Sequence, residues 1–92
     1  MYDELLKEEY RQWKKLLSAK MRVEKAEIRK IKDKERLFKQ AFLYSKLRDE
    51  VYLEYLEVCP GEHSMENAQY NDRFDFYDDL TIMCRERAEA MG

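Results

Sequence analysis

The stretch VCPGEHS, residues 58–64, contains the only proline of the chain and one of its two glycines. The residues before it contain neither and are mostly Leu, Lys, Glu, Arg, Ala and Met, which favour helices. A proline disfavours the helical conformation in the residue before it, and Ser64 is a good helix N-cap. The sequence therefore predicts two helical segments, about residues 3–58 and 64–90, with a reversal of direction between them.

The apolar residues of both segments follow helical rather than strand spacing, so the predicted fold class is all-α. In the first segment, Leu6, Tyr10, Trp13 and Leu17 are separated by four, three and four residues, the spacing of a coiled-coil seam. Over residues 38–58 the apolar positions cover most of the helix circumference, which predicts that this part is surrounded on several sides.

Two architectures of a single domain, residues 1–92, fit these patterns. In the first, residues 3–58 form one helix of about 84 Å, and the second helix folds back antiparallel, so that residues 1–31 project as a coiled-coil arm from a hairpin of residues 32–92. In the second, the chain also turns near Asp33 and forms a compact three-helix bundle. We favour the first, because no glycine or proline lies near Asp33.

The projecting arm leaves an apolar seam that no element of the same chain covers. A contiguous apolar stripe of this kind does not stay in water, so the sequence predicts a homodimer or contact with another protein. Trp13 is the residue most expected at such a contact, since Trp is favoured as an interface anchor. The predicted interface residues are Leu6, Tyr10, Trp13, Leu17, Met21 and Ile28.

The net charge of −2 hides an asymmetry along the chain. Residues 1–45 hold 13 Lys/Arg and 8 Asp/Glu, whereas residues 46–92 hold 5 and 12. The basic stretch Lys20–Lys39 could lie along phosphates, although its interspersed acids are equally typical of a solvated helix face or of a surface for an acidic protein. Its candidate contacts are Lys20, Arg22, Lys25, Arg29, Lys30, Lys32 and Arg36.

A run of carboxylates in the second helix is the counterpart of the basic stretch. Its spacing places several carboxylates on one helix face, where they could meet a basic partner. The loop geometry of a calcium site is missing, and such a run is more often the solvated side of an amphipathic helix. The candidate contacts for a basic partner are Asp72, Asp75, Asp78 and Asp79.

Cys59 and His63 are the residue types that bind zinc, but a structural zinc site needs four ligands. Cys84 lies about twenty residues into the second helix, on the order of 30 Å from the turn. His63 is the only histidine, and no glycine-rich phosphate loop accompanies it. We therefore predict no metal site, no cofactor and no catalytic residues.

The most apolar window, residues 41–58, is interrupted by six charged residues and predicts no membrane span. Residues 1–7 do not resemble a signal peptide, which predicts a cytoplasmic protein. Taken together, the patterns predict a non-enzymatic protein–protein interaction module of adaptor, scaffold or inhibitor type that acts through a self-associating helical surface. A small phage-type inhibitor of a host machine is compatible with this size. The alternative is a nucleic-acid-binding protein that uses the basic helix Lys20–Lys39.

Overall fold

The computed structural model describes the backbone of residues 2–91 and the side chains of residues 6–91. It contains three helices, α1 (Tyr2–Lys30), α2 (Lys34–Val58) and α3 (Met65–Ala90), and no strand within the described backbone. The all-α class is confirmed, and so is the three-helix alternative with a turn near Asp33. The favoured alternative, a continuous helix over residues 3–58, is wrong.

The break between α1 and α2 spans residues 31–33 and is closed on both sides by hydrogen bonds. The Ile31 N–H donates to the Ile28 carbonyl at 3.1 Å, in a tight last turn of α1. Asp33 has φ −109° and ψ 119°, and its carboxylate accepts from the Glu35 N–H at 3.0 Å. This N-cap satisfies a backbone donor that the first turn leaves unpaired, so α2 can start without a glycine or proline.

The second reversal lies at the VCPGEHS stretch, as the sequence predicts. Cys59 takes the left-handed conformation with φ 50°, and its N–H donates to the Tyr55 carbonyl at 2.9 Å. Pro60 follows and cannot continue the helix. Ser64 then caps α3, because its hydroxyl oxygen accepts from the Asn67 N–H at 3.1 Å.

Helix α3 lies between the other two and contacts both. α2 runs antiparallel to α3, since Arg48 bonds Asp78 near its middle and Glu54 accepts from Tyr70 nearer its end. α1 runs parallel to α3 and makes few direct contacts with α2. The three helices therefore form a flat arrangement with Cα extents of 53 × 26 × 13 Å.

The core lies where all three helices meet and takes side chains from each of them. α1 contributes Ile28, and the partly buried Leu17 and Met21 pack against the same cluster. The predicted projecting arm is therefore wrong over the side chains described, because the seam of α1 is turned toward α3. Burying one large aliphatic side chain contributes about 1.5–3 kcal/mol, which favours docking of α1 over an uninterrupted exposed helix. The other buried members are Leu37, Ala41, Tyr44, Phe76, Leu80, Cys84 and Ala88.

Ile28 provides a test of this docking, because it is 1% exposed although it belongs to the segment predicted to project. We expect Ile28→Ala to lower the free energy of unfolding by about 2–5 kcal/mol in chemical denaturation, since the change leaves a cavity in the core. Val23→Ala, on the 61% exposed Val23 of the same helix, is the matched control and should change it by less than about 0.5 kcal/mol. Equal effects of the two substitutions would contradict docking of α1.

Candidate interaction surfaces

The predicted self-association seam of α1 is occupied by α3 of the same chain. The Tyr10 hydroxyl donates to Asp72 at 2.7 Å, and Trp13 lines a small cavity together with Phe76 and Tyr77. Ile28 is buried in the core. The assignment of this seam to an intermolecular interface is therefore corrected. Its members Leu6, Tyr10, Trp13, Leu17 and Met21 are all half-buried, and those from Tyr10 onward line the contact with α3.

Tyr10 and Tyr44 donate to carboxylates of neighbouring helices, as Tyr70 does to Glu54. The hydrogen bond to Asp72, with a smaller contribution from burial, raises the pKa of Tyr10 to about 12. Burial and then the hydrogen bond to Glu24, at 2.6 Å, raise the pKa of Tyr44. Both phenols favour the protonated form, in which the hydroxyl keeps a hydrogen to donate across the helix contact.

The basic stretch Lys20–Lys39 does not form one helix, because the turn at residues 31–33 divides it between α1 and α2. Lys20 lies over the Phe76 ring, with 5.9 Å between Nζ and the ring centroid, and Lys30 pairs with Glu27. Lys32 lies in the turn and Arg36 on α2. Of the predicted contacts, Arg22, Lys25 and Arg29 remain together by helical spacing on one side of α1.

A longer basic surface on α1 was missed by the sequence prediction. One shallow depression is lined by Arg11, Lys14, Lys15 and Arg22. The surface continues along the helix with Lys25 and Arg29, which follow positions 18 and 22 by seven residues and so lie on the same side. We call these six residues the basic side of α1. The helical period applied to the charges of residues 7–30 would have identified it, whereas a count of charges in a window did not.

The predicted acidic run is divided among three environments. Asp72 accepts from Tyr10 and pairs with Lys14 at 3.4 Å, on the α1 side of α3. Asp78 accepts from Arg48 at 2.8 Å on the α2 side, and this hydrogen bond raises the pKa of Arg48. Asp75 and Asp79 stay exposed. Two of the four carboxylates therefore hold the bundle together, and the other two face solvent.

The residue types considered for metal binding lie apart in the fold. Cys59 is exposed at the end of α2, whereas Cys84 is buried in the core, where burial raises the pKa of its thiol. His63 lines a shallow cavity with Leu6, Tyr10 and Met65. Among residues whose side chains are described, no three His, Cys, Asp or Glu side chains are grouped so as to hold a metal ion.

The widest apolar surface lies on α2. The prediction that residues 38–58 are surrounded on several sides is wrong, since only the side toward α3 and α1 is covered. Phe42 is 66% exposed and Leu53 is 60% exposed. We call this surface the outer face of α2, and its large apolar members are Phe38, Phe42, Tyr52, Leu53 and Leu56.

The outer face of α2 has the spacing of a coiled-coil seam. Positions 38, 42, 45, 49, 52 and 56 are separated alternately by four and three residues, so their side chains form one line along the helix. Phe38, Phe42, Tyr52 and Leu56 occupy its two ends, while Ser45 and Asp49 occupy the middle. The seam that the sequence placed on α1 thus has a counterpart on α2 whose apolar side chains are largely exposed, although the Tyr52 ring meets Phe74 of α3 edge-on.

The chain matches no model of a known protein family, no curated protein and no solved structure. Over the residues described, none of the three helices combines the length and apolarity that a membrane crossing needs.

The pKa of Tyr10 yields a test of the contact between α1 and α3. The folded-state pKa of Tyr10, about 12, exceeds the ordinary tyrosine value of 10.0, so this phenol stabilises the fold fully below about pH 10. We expect this contribution to the free energy of unfolding to be lost as pH rises from about 10 to about 12. Tyr10→Phe and Asp72→Asn should each make that fall shallower, as followed by urea denaturation. A slope unchanged in both variants would contradict the hydrogen bond.

Proposed function

We propose that this protein is a non-enzymatic protein–protein interaction module whose binding surface is the outer face of α2, and that the occupant of this face is a second copy of the chain. The observation that carries the proposal is the row of five large apolar side chains exposed along one helix. Exposed apolar patches of this kind mark interaction sites in soluble proteins. We expect the module to act in the cytoplasm, where its two cysteines would stay reduced.

The composition of the outer face supports binding rather than incidental exposure. Phe38, Phe42 and Tyr52 are aromatic, and aromatic side chains give a large contact area at a small loss of conformational entropy. They stand on a regular helix whose opposite side is anchored in the core by Leu37, Tyr44 and Val51. The face is therefore held rigid before it meets a partner, which lowers the entropy lost on binding.

The distribution of charge along α2 supports a second copy as the occupant. Its first half carries Lys34, Arg36, Lys39 and Lys46, with a single acid, Glu35. From Asp49 onward its charges are all acidic: Asp49, Glu50, Glu54 and Glu57. A second α2 running in the opposite direction would place basic residues beside acidic ones at both ends, and such complementarity favours specific association.

Phe42→Glu tests the proposal. A carboxylate in the middle of an apolar contact would be desolvated without a partner, so we expect the dimer to dissociate to an 11.3 kDa monomer in light scattering at micromolar concentration. The fold should persist, because Phe42 is exposed. The circular dichroism spectrum should therefore remain that of a helical protein. Leu16→Glu, at a 70% exposed position on α1, is the matched control and should leave the dimer intact. A wild-type chain that is monomeric up to high micromolar concentration would refute self-association.

The basic side of α1 supports a second candidate function, the binding of a polyanion such as nucleic acid. Lys15, Arg22, Lys25 and Arg29 make no salt bridge with the carboxylates described, and they extend along the helix in phase with its turns. Cations spaced along one helix side can each neutralise a phosphate and release its counterion. This surface lies on a different helix from the outer face of α2, so the two functions are separable.

Fluorescence anisotropy with a short DNA duplex tests this second function. We expect binding that weakens steeply as salt rises from about 50 to about 200 mM, since counterion release contributes most of the affinity. Arg22→Glu combined with Lys25→Glu should abolish it, whereas Lys30→Glu, about 100° round the same helix from Arg29, should leave it nearly unchanged. Equal loss in both variants would indicate that net charge alone, and not this surface, is responsible.

A further inference from the structure

We infer that two copies of the chain pair through the outer faces of their α2 helices in an antiparallel register, with residue n of one copy facing about residue 94 − n of the other. This inference rests on the proposed self-association and adds its geometry. In this register Phe38 faces Leu56 of the second copy, and Phe42 faces Tyr52. Both ends of the seam then bury large apolar side chains against each other over about 27 Å of helix.

The middle of the seam favours the antiparallel direction. Ser45 of one copy faces Asp49 of the other, and the same pair recurs on the other side of the two-fold axis. The Ser45 hydroxyl donates to the Phe42 carbonyl of its own helix at 2.8 Å, and rotation of the side chain would let it donate to the carboxylate of the second copy instead. A parallel pairing would instead set Asp49 beside Asp49, and two like charges facing each other at a seam destabilise it. A single polar layer in an apolar seam fixes register in this way.

The charges beside the seam agree with the same register. Lys39 and Lys46 lie on one flank of the outer face, and Glu50 and Glu57 lie on that flank in the other half of the helix. In the antiparallel register Lys39 approaches Glu57 of the second copy, and Lys46 approaches Glu50. Each glutamate lies about two residues along the helix from the position directly opposite its lysine. Symmetry repeats both pairs, giving four opposite-charge pairs. In a parallel register this flank would instead face the opposite flank of the second helix, so these four pairs would not form.

The intrachain contacts leave these charged residues available for such pairing. Lys39 has one carboxylate near it, Glu35 at 3.9 Å, and both side chains are largely exposed. Lys46, Glu50 and Glu57 are exposed, and none makes a salt bridge with the side chains described. Arg48 differs, because it is held by Asp78 and Asp49 at the edge toward α3. The bundle therefore uses the charges on one side of α2 and leaves those beside the outer face free.

Thiol cross-linking distinguishes the two directions. In a Cys59→Ser background, which removes the exposed native thiol, one chain carries Phe38→Cys and a second, size-tagged chain carries Leu56→Cys. With a short bis-maleimide, we expect a mixed 38–56 product from the mixture and little product from either chain alone. Self-linking of each chain on its own would overturn the antiparallel register. A wild-type chain that stays monomeric would refute the proposed function itself, whereas a dimer with the wrong cross-links refutes only the register.

Charge reversal gives a second measurement that leaves the apolar seam intact. Lys39→Glu with Lys46→Glu replaces four opposite-charge pairs by four like pairs, so we expect dimerisation to weaken by roughly tenfold or more, measured by sedimentation. Adding Glu50→Lys and Glu57→Lys restores opposite signs and should restore wild-type affinity. In a parallel dimer Lys39 and Lys46 would lie away from Glu50 and Glu57 of the second copy, so the first pair of substitutions would have little effect. An unchanged affinity in the Lys39→Glu, Lys46→Glu variant would therefore overturn the inference.

Discussion

The N-cap formed by Asp33 is the contact on which the rest of the structure depends. Its carboxylate accepts from the Glu35 N–H, so that α2 begins with only three residues between it and α1. The chain reverses direction there, and both helices lie along α3. Were the helix continuous here, the apolar residues of α1 would extend away from α3 and the core cluster would lose Ile28. A cap contributes on the order of 1 kcal/mol, and the burial it permits is several times larger.

α1 lies along α3 and covers one side of it. Within the described residues, α2 therefore makes its extensive contacts with α3 alone. α2 is apolar around most of its circumference, so covering one side leaves another exposed. The outer face of α2 is therefore a direct consequence of where α1 docks. Had α1 packed against α2 instead, the exposed apolar surface would lie on α3, where Phe76 and Tyr77 would lose the cover of α1.

The charged residues divide into two groups with different roles. Asp72, Asp78 and Glu24 accept hydrogen bonds from Tyr10, Arg48 and Tyr44, and these contacts align the helices laterally. The basic side of α1, except Lys14, and the charges beside the outer face of α2 make no salt bridge with another helix among the described side chains. In a chain with 41% charged residues, this division explains why a high charge density coexists with a defined core and with surfaces suited to partners.

The sequence by itself determined the all-α class, the reversal at residues 58–64 and the antiparallel pairing of α2 with α3. These features follow from local chemistry: helix-forming residues, one Pro-Gly pair, one N-cap serine and apolar residues at helical spacing.

Only the tertiary structure decided which side of each helix is covered. Leu6, Tyr10, Trp13 and Leu17 form a seam in either architecture, and periodicity does not distinguish a seam that meets α3 from one that meets another chain. The same holds for Asp72 and Asp79, which belong to one acidic run in the sequence, although Asp72 is half-buried and Asp79 is exposed in the fold. Whether an amphipathic side of a helix becomes core or interface depends on the angle that residues 31–33 set between α1 and α2. This angle is selected by the total apolar area that the three helices bury together. Most of that area comes from contacts between residues far apart in the sequence, so no local segment determines it.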